Sequence, residues 1–198
     1  DLNNKKVGLK GIFISGNHSE EGDNFKYKQR RISLFPVTPT FSFVNNLSVS
    51  ILNKLYFYKN KNIKNSVVKI NKFFFPLDVL HDWNKGYGRK GFLQYQFVLP
   101  LDRIQESVEK IHKNIIKSKI KPSLSILKTF GDIPPEGYLS FPREGVSFAI
   151  DFPNRGKKLL SLLNDLDNVI YEYGGALYPA KDIRMSSKMF KFSFPSLS

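Results

Sequence analysis

The apolar residues between Phe92 and Tyr178 switch between a two-residue spacing and a helical spacing, and the order of the switches leaves few folds open. Residues 92–99, F-L-Q-Y-Q-F-V-L, read as a strand closed by Pro100. Asp102 with Gln105 forms a capping box for a helix whose stripe is Ile104, Val108, Ile111 and Ile115, ended by Lys121-Pro122. A second strand is expected from Ser123 to Phe130, followed by a loop over residues 131–135. The third strand, Val146–Phe152, puts Val146, Phe148, Ile150 and Phe152 on one side and Ser147, Ala149 and Asp151 on the other. Pro153-Asn154 opens a second helix with Leu159, Leu160, Leu162, Leu163, Leu166, Val169, Ile170 and Tyr173 as its apolar side. Gly174-Gly175 stops that helix, and Ala176-Leu177-Tyr178 is a last strand. The order βαββαβ predicts an α+β, ferredoxin-like antiparallel sheet with both helices on one face.

The preceding sequence is harder to read. Residues 1–65 are expected to be an N-terminal extension, partly irregular, and residues 66–198 the α+β domain. Gly11-Ile12-Phe13-Ile14 is the one apolar patch near the start and is expected as a strand entering a turn. Phe35-Pro36 and Thr38-Pro39 break regular structure. From Leu47, the positions Ile51, Leu52, Leu55, Tyr56 and Tyr58 space as a helix, with Asn45, Asn46 and Ser48 as candidate caps. Val67–Phe75 is rich in aromatics and predicts a strand ending at Pro76. Residues 79–88 predict one short helical turn running into a glycine loop, with Trp83 packed.

If both helices cover one face, Leu93, Tyr95, Phe97 and Leu99 face them, and Gln94 and Gln96 point together to the other side. Two amides beside Ser147, Ala149 and Asp151 make a floor of small and polar groups suited to a hydroxyl-rich ligand. A solvated sheet face accounts for the same residues. Lys128 shares parity with Leu124, Ile126 and Phe130, and pattern alone leaves the side of that set open. Tyr178 and Lys181 follow the last strand, where a sheet edge presents reacting groups, although a surface lysine beside Asp182 is the simpler account.

The net charge of +14 raises a second reading, a nucleic-acid or anionic-surface binding module. The lysines are spread over the chain and Lys far outnumbers Arg, the preferred bidentate reader of phosphate and guanine. RNA-binding sheets carry aromatics on the open face, whereas Tyr95 and Phe97 fall on the packed side, so nucleic acid ranks second. The densest basic runs, residues 26–31 and the lysines from 54 to 72, are suited to an anionic membrane surface or a phosphorylated ligand. The absence of cysteine excludes disulfides and thiolate ligands, and His18, His81 and His112 lack metal-ligand spacing, so no metal is expected. No run reaches the length of a membrane span and no charged-then-apolar leader opens the chain, which predicts a cytoplasmic or peripherally membrane-associated location.

An ordered set of motifs carries a resemblance. Phe75-Pro76-Leu77-Asp78, Trp83-Asn84, Tyr87-Gly88, Gly91–Gln96, Lys128–Gly131, Leu139–Pro142, Asp151–Asn154 and Gly174–Met185 together resemble the substrate domain of flavin oxidases of the vanillyl-alcohol-oxidase type. Within that family they are most similar to decaprenylphosphoryl-β-D-ribose 2-oxidase-like proteins, from about residue 35 onward. The resemblance implies that FAD is held mainly by a separate domain lacking from this chain, and that a sugar hydroxyl of a polyprenyl-phosphate-linked pentose gives hydride to the flavin. It implies Lys181 as the catalytic group for substrate orientation and alkoxide stabilisation, and Tyr178 as a flavin contact. Gln94, Gln96, Lys128, Phe130 and Asn84 match substrate-pocket positions, as do Ser147, where the family has a larger amide, and Ala149, where some members have cysteine. Phe74 stands for a tyrosine. A short-chain reductase completing an epimerisation is the partner such an oxidase implies.

Overall fold

Strand β3 (Phe92–Leu99) is paired antiparallel on both sides, with β5 (Gly145–Pro153) along its whole length and with β6 (Ala176–Leu177) at its end. Strand β4 (Leu124–Phe130) lies outside β5, giving the order β4-β5-β3-β6. Helices α3 (Ile104–Ser118) and α4 (Lys157–Glu172) connect them, so the βαββαβ ferredoxin-like arrangement holds. The computed structural model describes residues 2, 11–20, 32–33, 35–62, 65–74, 80–134, 136–181 and 184–197. The chain divides into two compact units, residues 10–91, and residues 1–9 with 92–198.

In the second unit, one alternation builds the core. Tyr95, Phe97 and Leu99 of β3 and Phe148, Ile150 and Phe152 of β5 are each at most 1% exposed and pack with Ile111 and Ile115 of α3 and with Leu159, Leu163, Leu166 and Ile170 of α4. Phe97 and Phe148, opposite each other in the register, stack with centroids 5.2 Å apart. Each such ring removed from water contributes roughly 2–3 kcal/mol. Leu160, expected on the apolar side of α4, is instead 39% exposed, because the helix needs only one stripe against the sheet.

The helix ends depart from the expected boundaries in instructive ways. Asp102 makes no capping box: a tight turn, with Ile104 N–H donating to Leu101 O at 3.3 Å, leaves Arg103 at the cap position with no side-chain cap bond. Lys119 already ends α3, in the left-handed conformation at φ 62°, two residues before the expected stop. Pro153-Asn154 does not start α4, since Pro153 stays in β5 opposite Phe92, Asn154 Oδ1 accepts from Gly156 N–H at 2.9 Å, and the helix begins at Lys157.

The C-terminus of α4 behaves as read. Gly175 N–H donates to Ile170 O at 2.8 Å and Gly174 N–H to Tyr171 O at 3.2 Å, with Gly174 at φ +70°, a complete Schellman motif. A Cβ on Gly175 would lie 2.6 Å from Val98 O and 2.9 Å from Ile170 Cγ2, so only glycine lets the helix end pass this close to β3. Helix α5 (Ser187–Ser193), capped by Ser186, then covers the outer edge of β6: Leu177 N–H donates to Ser193 Oγ at 3.2 Å.

The other unit holds α1 (Asn46–Asn60), the short α2 (Ile70–Phe74), a parallel bridge of β1 (Ile32–Ser33) with β2 (Leu80–His81), and a 3-10 turn at Trp83–Tyr87. Asn45 is the cap of α1, accepting from Leu47 N–H at 3.0 Å and Ser48 N–H at 3.1 Å. The strand expected at Val67–Phe75 is absent in its described part. Residues 70–74 are helical, because Lys72 and Phe73 N–H both close turns on Lys69 O and no strand among the described residues pairs with them. Phe75 itself lies outside the described residues. The Ile12–Ile14 patch is likewise no strand, and Phe13 is 91% exposed.

Replacing Gly175 by alanine is expected to cost about 1–3 kcal/mol through overpacking, whereas Gly174→Ala costs about 1 kcal/mol from its left-handed conformation alone. Urea unfolding of both variants checks the ranking.

Candidate functional site

Because paired residues of an antiparallel sheet share a face, the register places the candidate residues row by row. On the helix-free face the rows across β3, β5 and β4 run Gln94–Asp151–Leu124, Gln96–Ala149–Ile126 and Val98–Ser147–Lys128. Phe130 follows opposite Gly145. Lys128, whose side the pattern leaves open, is therefore on the same face as the two glutamines. Gln94, Gln96, Lys128, Phe130, Ser147 and Ala149 are thus gathered on one surface of three strands.

That surface is not washed by solvent throughout. Ser147 is 3% and Asp151 1% exposed, since these short side chains of the central strand sit between longer neighbours on β3 and β4. At one end a small second core forms from Val98, Phe141 and Ala176, with Phe130 and Tyr178 packed against it. Phe141 lies 4.8 Å from the Tyr178 ring and 6.2 Å from the Phe130 ring, centroid to centroid. Arg143 fixes the segment that brings Phe141 in, donating from Nη2 to Ser193 O at 2.8 Å.

The polar groups on the face are tied to one another. Gln94 Nε2 donates to Asp151 Oδ1 at 2.8 Å and Gln96 Nε2 to Ser147 Oγ at 3.3 Å. Asp151 Oδ2 is buried and has no hydrogen-bond partner. Burial pushes the Asp151 carboxyl above its ordinary value, opposed by the hydrogen bond from Gln94 and by the charge of Lys181. A buried carboxylate oxygen without a partner is costly, which is the physical reason the charged form of Asp151 is disfavoured here. Sequence alternation puts Asp151 on this side, but gives no sign that one of its oxygens is free.

Tyr178 continues the sheet beyond β6, its N–H donating to Gln96 O at 2.9 Å, and Lys181 N–H closes a turn on Tyr178 O at 3.2 Å. Lys181 is exposed, and its charge acts on Asp151. Asp182 lies outside the described residues. Beyond it, Arg184 donates to both carboxylate oxygens of Asp167, at 2.7 and 2.9 Å, while Tyr95 Oη donates to Asp167 Oδ1 at 2.6 Å. The lysine segment is therefore fastened to β3 before Lys181 and to α4 after it, where Tyr95 of β3 braces Asp167. Asn84 stands exposed on the 3-10 turn of the other unit and is not a member of this sheet. Among the described residues no group of three histidine, aspartate or glutamate side chains is placed to hold a metal ion.

No protein-family profile matches the chain. Over 175 residues it is 31% identical to a decaprenylphosphoryl-β-D-ribose oxidase of Mycolicibacterium smegmatis (strain ATCC 700084 / mc(2)155). That alignment covers 88% of this chain but 37% of the relative. A 72-residue stretch is 35% identical to a Streptomyces coelicolor protein described as an uncharacterized protein in the mprA 5' region, covering 36% of this chain and 19% of that one. The chain is thus a distant relative of an oxidoreductase and spans little more than a third of its length.

Asp151→Asn tests the buried carboxyl. A carboxyl whose value is raised in the folded state loses stability as pH rises from the ordinary aspartate value, 3.8, through the raised one, and the deficit is complete above it. The asparagine variant lacks this term, so its melting temperature relative to the natural chain is expected to rise across that window and then level. Parallel melting curves from acid to neutral pH would falsify the assignment.

Proposed function

We propose that this chain is the substrate-side part of an FAD-linked oxidase that oxidises a hydroxyl of a pentose carried on a polyprenyl phosphate. The observation that carries the reading is the helix-free face itself: amide, hydroxyl and carboxyl groups share one surface, and the Tyr178–Lys181 turn follows the strand at its edge. The similarity to a protein named for oxidising decaprenylphosphoryl ribose supports it.

The residues present fit a sugar held against this face. Gln94 and Gln96 are partly exposed, Ala149 between Gln96 and Ile126 is small, and Lys128 stands exposed two rows from Gln94. Tyr178, half-buried with its ring against Phe141 at the start of the turn to Lys181, is the residue that would touch FAD. FAD, when bound, supplies the acceptor for the hydride of the carbinol carbon.

This chain's own residues bind and polarise. Gln94 and Gln96 orient sugar hydroxyls, their amides already directed by Asp151 and Ser147. The Lys181 ammonium stabilises negative charge on the reacting oxygen as its proton leaves. Lys128, exposed at the rim, offers a cation to the phosphate of the carrier. The product is a keto-sugar, which a short-chain reductase would convert to the epimer.

The competing reading, a nucleic-acid module, calls for free aromatic faces on the open side of the sheet. Tyr95 and Phe97 are buried against the helices, and Phe130 and Tyr178 pack on Phe141.

In the flavin-linked enzyme containing this chain, Lys181→Ala is expected to slow anaerobic bleaching of the flavin by substrate by about 10²–10³-fold with flavin content unchanged. Bleaching at the natural rate removes Lys181 from the chemistry.

A further inference from the structure

Residues 35–74 contain no aspartate or glutamate. Over the same stretch the described lysines, Lys54, Lys59, Lys61, Lys69 and Lys72, are all exposed. So are large apolar side chains. On α1, Leu47 is 70%, Leu52 62%, Leu55 62% and Tyr58 65% exposed, and Val49 is the only buried residue of that helix. Ile70 and Phe74 of α2 are more than half exposed as well. A helix of a soluble domain normally turns its apolar stripe to a core and its charges away from it. Here Leu47, Ile51, Leu55 and Tyr58 recur at helical spacing on an exposed face, and Lys54 and Lys59 fall along that stripe, not opposite it.

We propose that this face of α1, together with α2, which follows it in the chain, docks on an anionic lipid surface. The charge pattern selects that occupant. Protein interfaces are depleted in lysine at their centres, whereas this face is studded with it. A second copy of the chain would bring lysines against lysines with no carboxylate from either copy in residues 35–74 to neutralise them. A lipid headgroup layer satisfies both halves of the surface. Leu, Tyr and Phe side chains enter the boundary of the acyl region, and the lysines extend their stems along them to reach the phosphates. No helix among the described residues is long and apolar enough to cross a membrane, so the contact is one of lying on the surface. The surface stands independently of the sugar-binding reading, since none of the sheet residues takes part in it.

Flotation of the full chain with vesicles tests it. Vesicles of phosphatidylcholine mixed with phosphatidylglycerol are expected to carry the chain, and vesicles of phosphatidylcholine alone to bind it about tenfold less or weaker still. High salt weakens the binding. Lys54→Glu with Lys59→Glu is expected to reduce binding to the anionic vesicles by about tenfold or more. Leu52→Ser with Leu55→Ser reduces it comparably, and circular dichroism of both pairs matches the natural chain. Three results overturn the proposal: absence of binding, equal binding to both vesicle types, or a concentration-dependent dimer in sedimentation that the Leu52→Ser, Leu55→Ser pair dissolves. If a variant pair loses its helical signal, single substitutions at Lys59 and Leu55 decide the matter by the same comparison.

Discussion

The unbroken antiparallel register between β3 and β5 is the constraint on which the second unit depends. Eight consecutive residue pairs, from Phe92 opposite Pro153 to Leu99 opposite Val146, put every aromatic and aliphatic side chain of one parity under the two helices. A slip of β3 by one residue would carry Gln94 and Gln96 into the core and expel Tyr95 and Phe97. Burial of those rings is therefore also what arranges the polar face. The same register that stabilises the fold sets the amides beside the carboxyl.

The second unit was legible because its periods are long and unmixed. Val146 to Phe152 alternates without exception, and the stripes of α3 and α4 each extend over several turns, so local preference and tertiary burial agree. Boundaries were less legible, because they depend on single hydrogen bonds. Asp102 has the composition of a cap, yet the turn at Leu101 takes it out of the capping geometry. Residues 10–91 offered short mixed runs, and there the turns closing on Lys69 O prevailed over the strand preference of neighbouring aromatics.

The candidate site divides in the same way. Parity alone placed Gln94, Gln96, Ser147 and Ala149 on one face, and the pairing of β4 with β5 supplied what parity could not, the side taken by Lys128. The unused oxygen of Asp151 was out of reach of sequence. It arises from one amide choosing one carboxylate oxygen, a matter of side-chain geometry within a buried row. The aromatic closure by Phe141 was equally hidden, since it depends on Arg143 tying a loop to the backbone of α5.

The two fastenings around the lysine segment have an evolutionary reading. One is a main-chain hydrogen bond from Tyr178 to Gln96, indifferent to side-chain identity; the other is the bidentate grip of Arg184 on Asp167, braced by the Tyr95 hydroxyl. One anchor leads to β3 and the other to α4, whose Asp167 is held in turn by Tyr95 of β3. The described positions between the two anchors, Pro179, Ala180 and Lys181, can therefore be exchanged for others while the framework that presents them keeps its place.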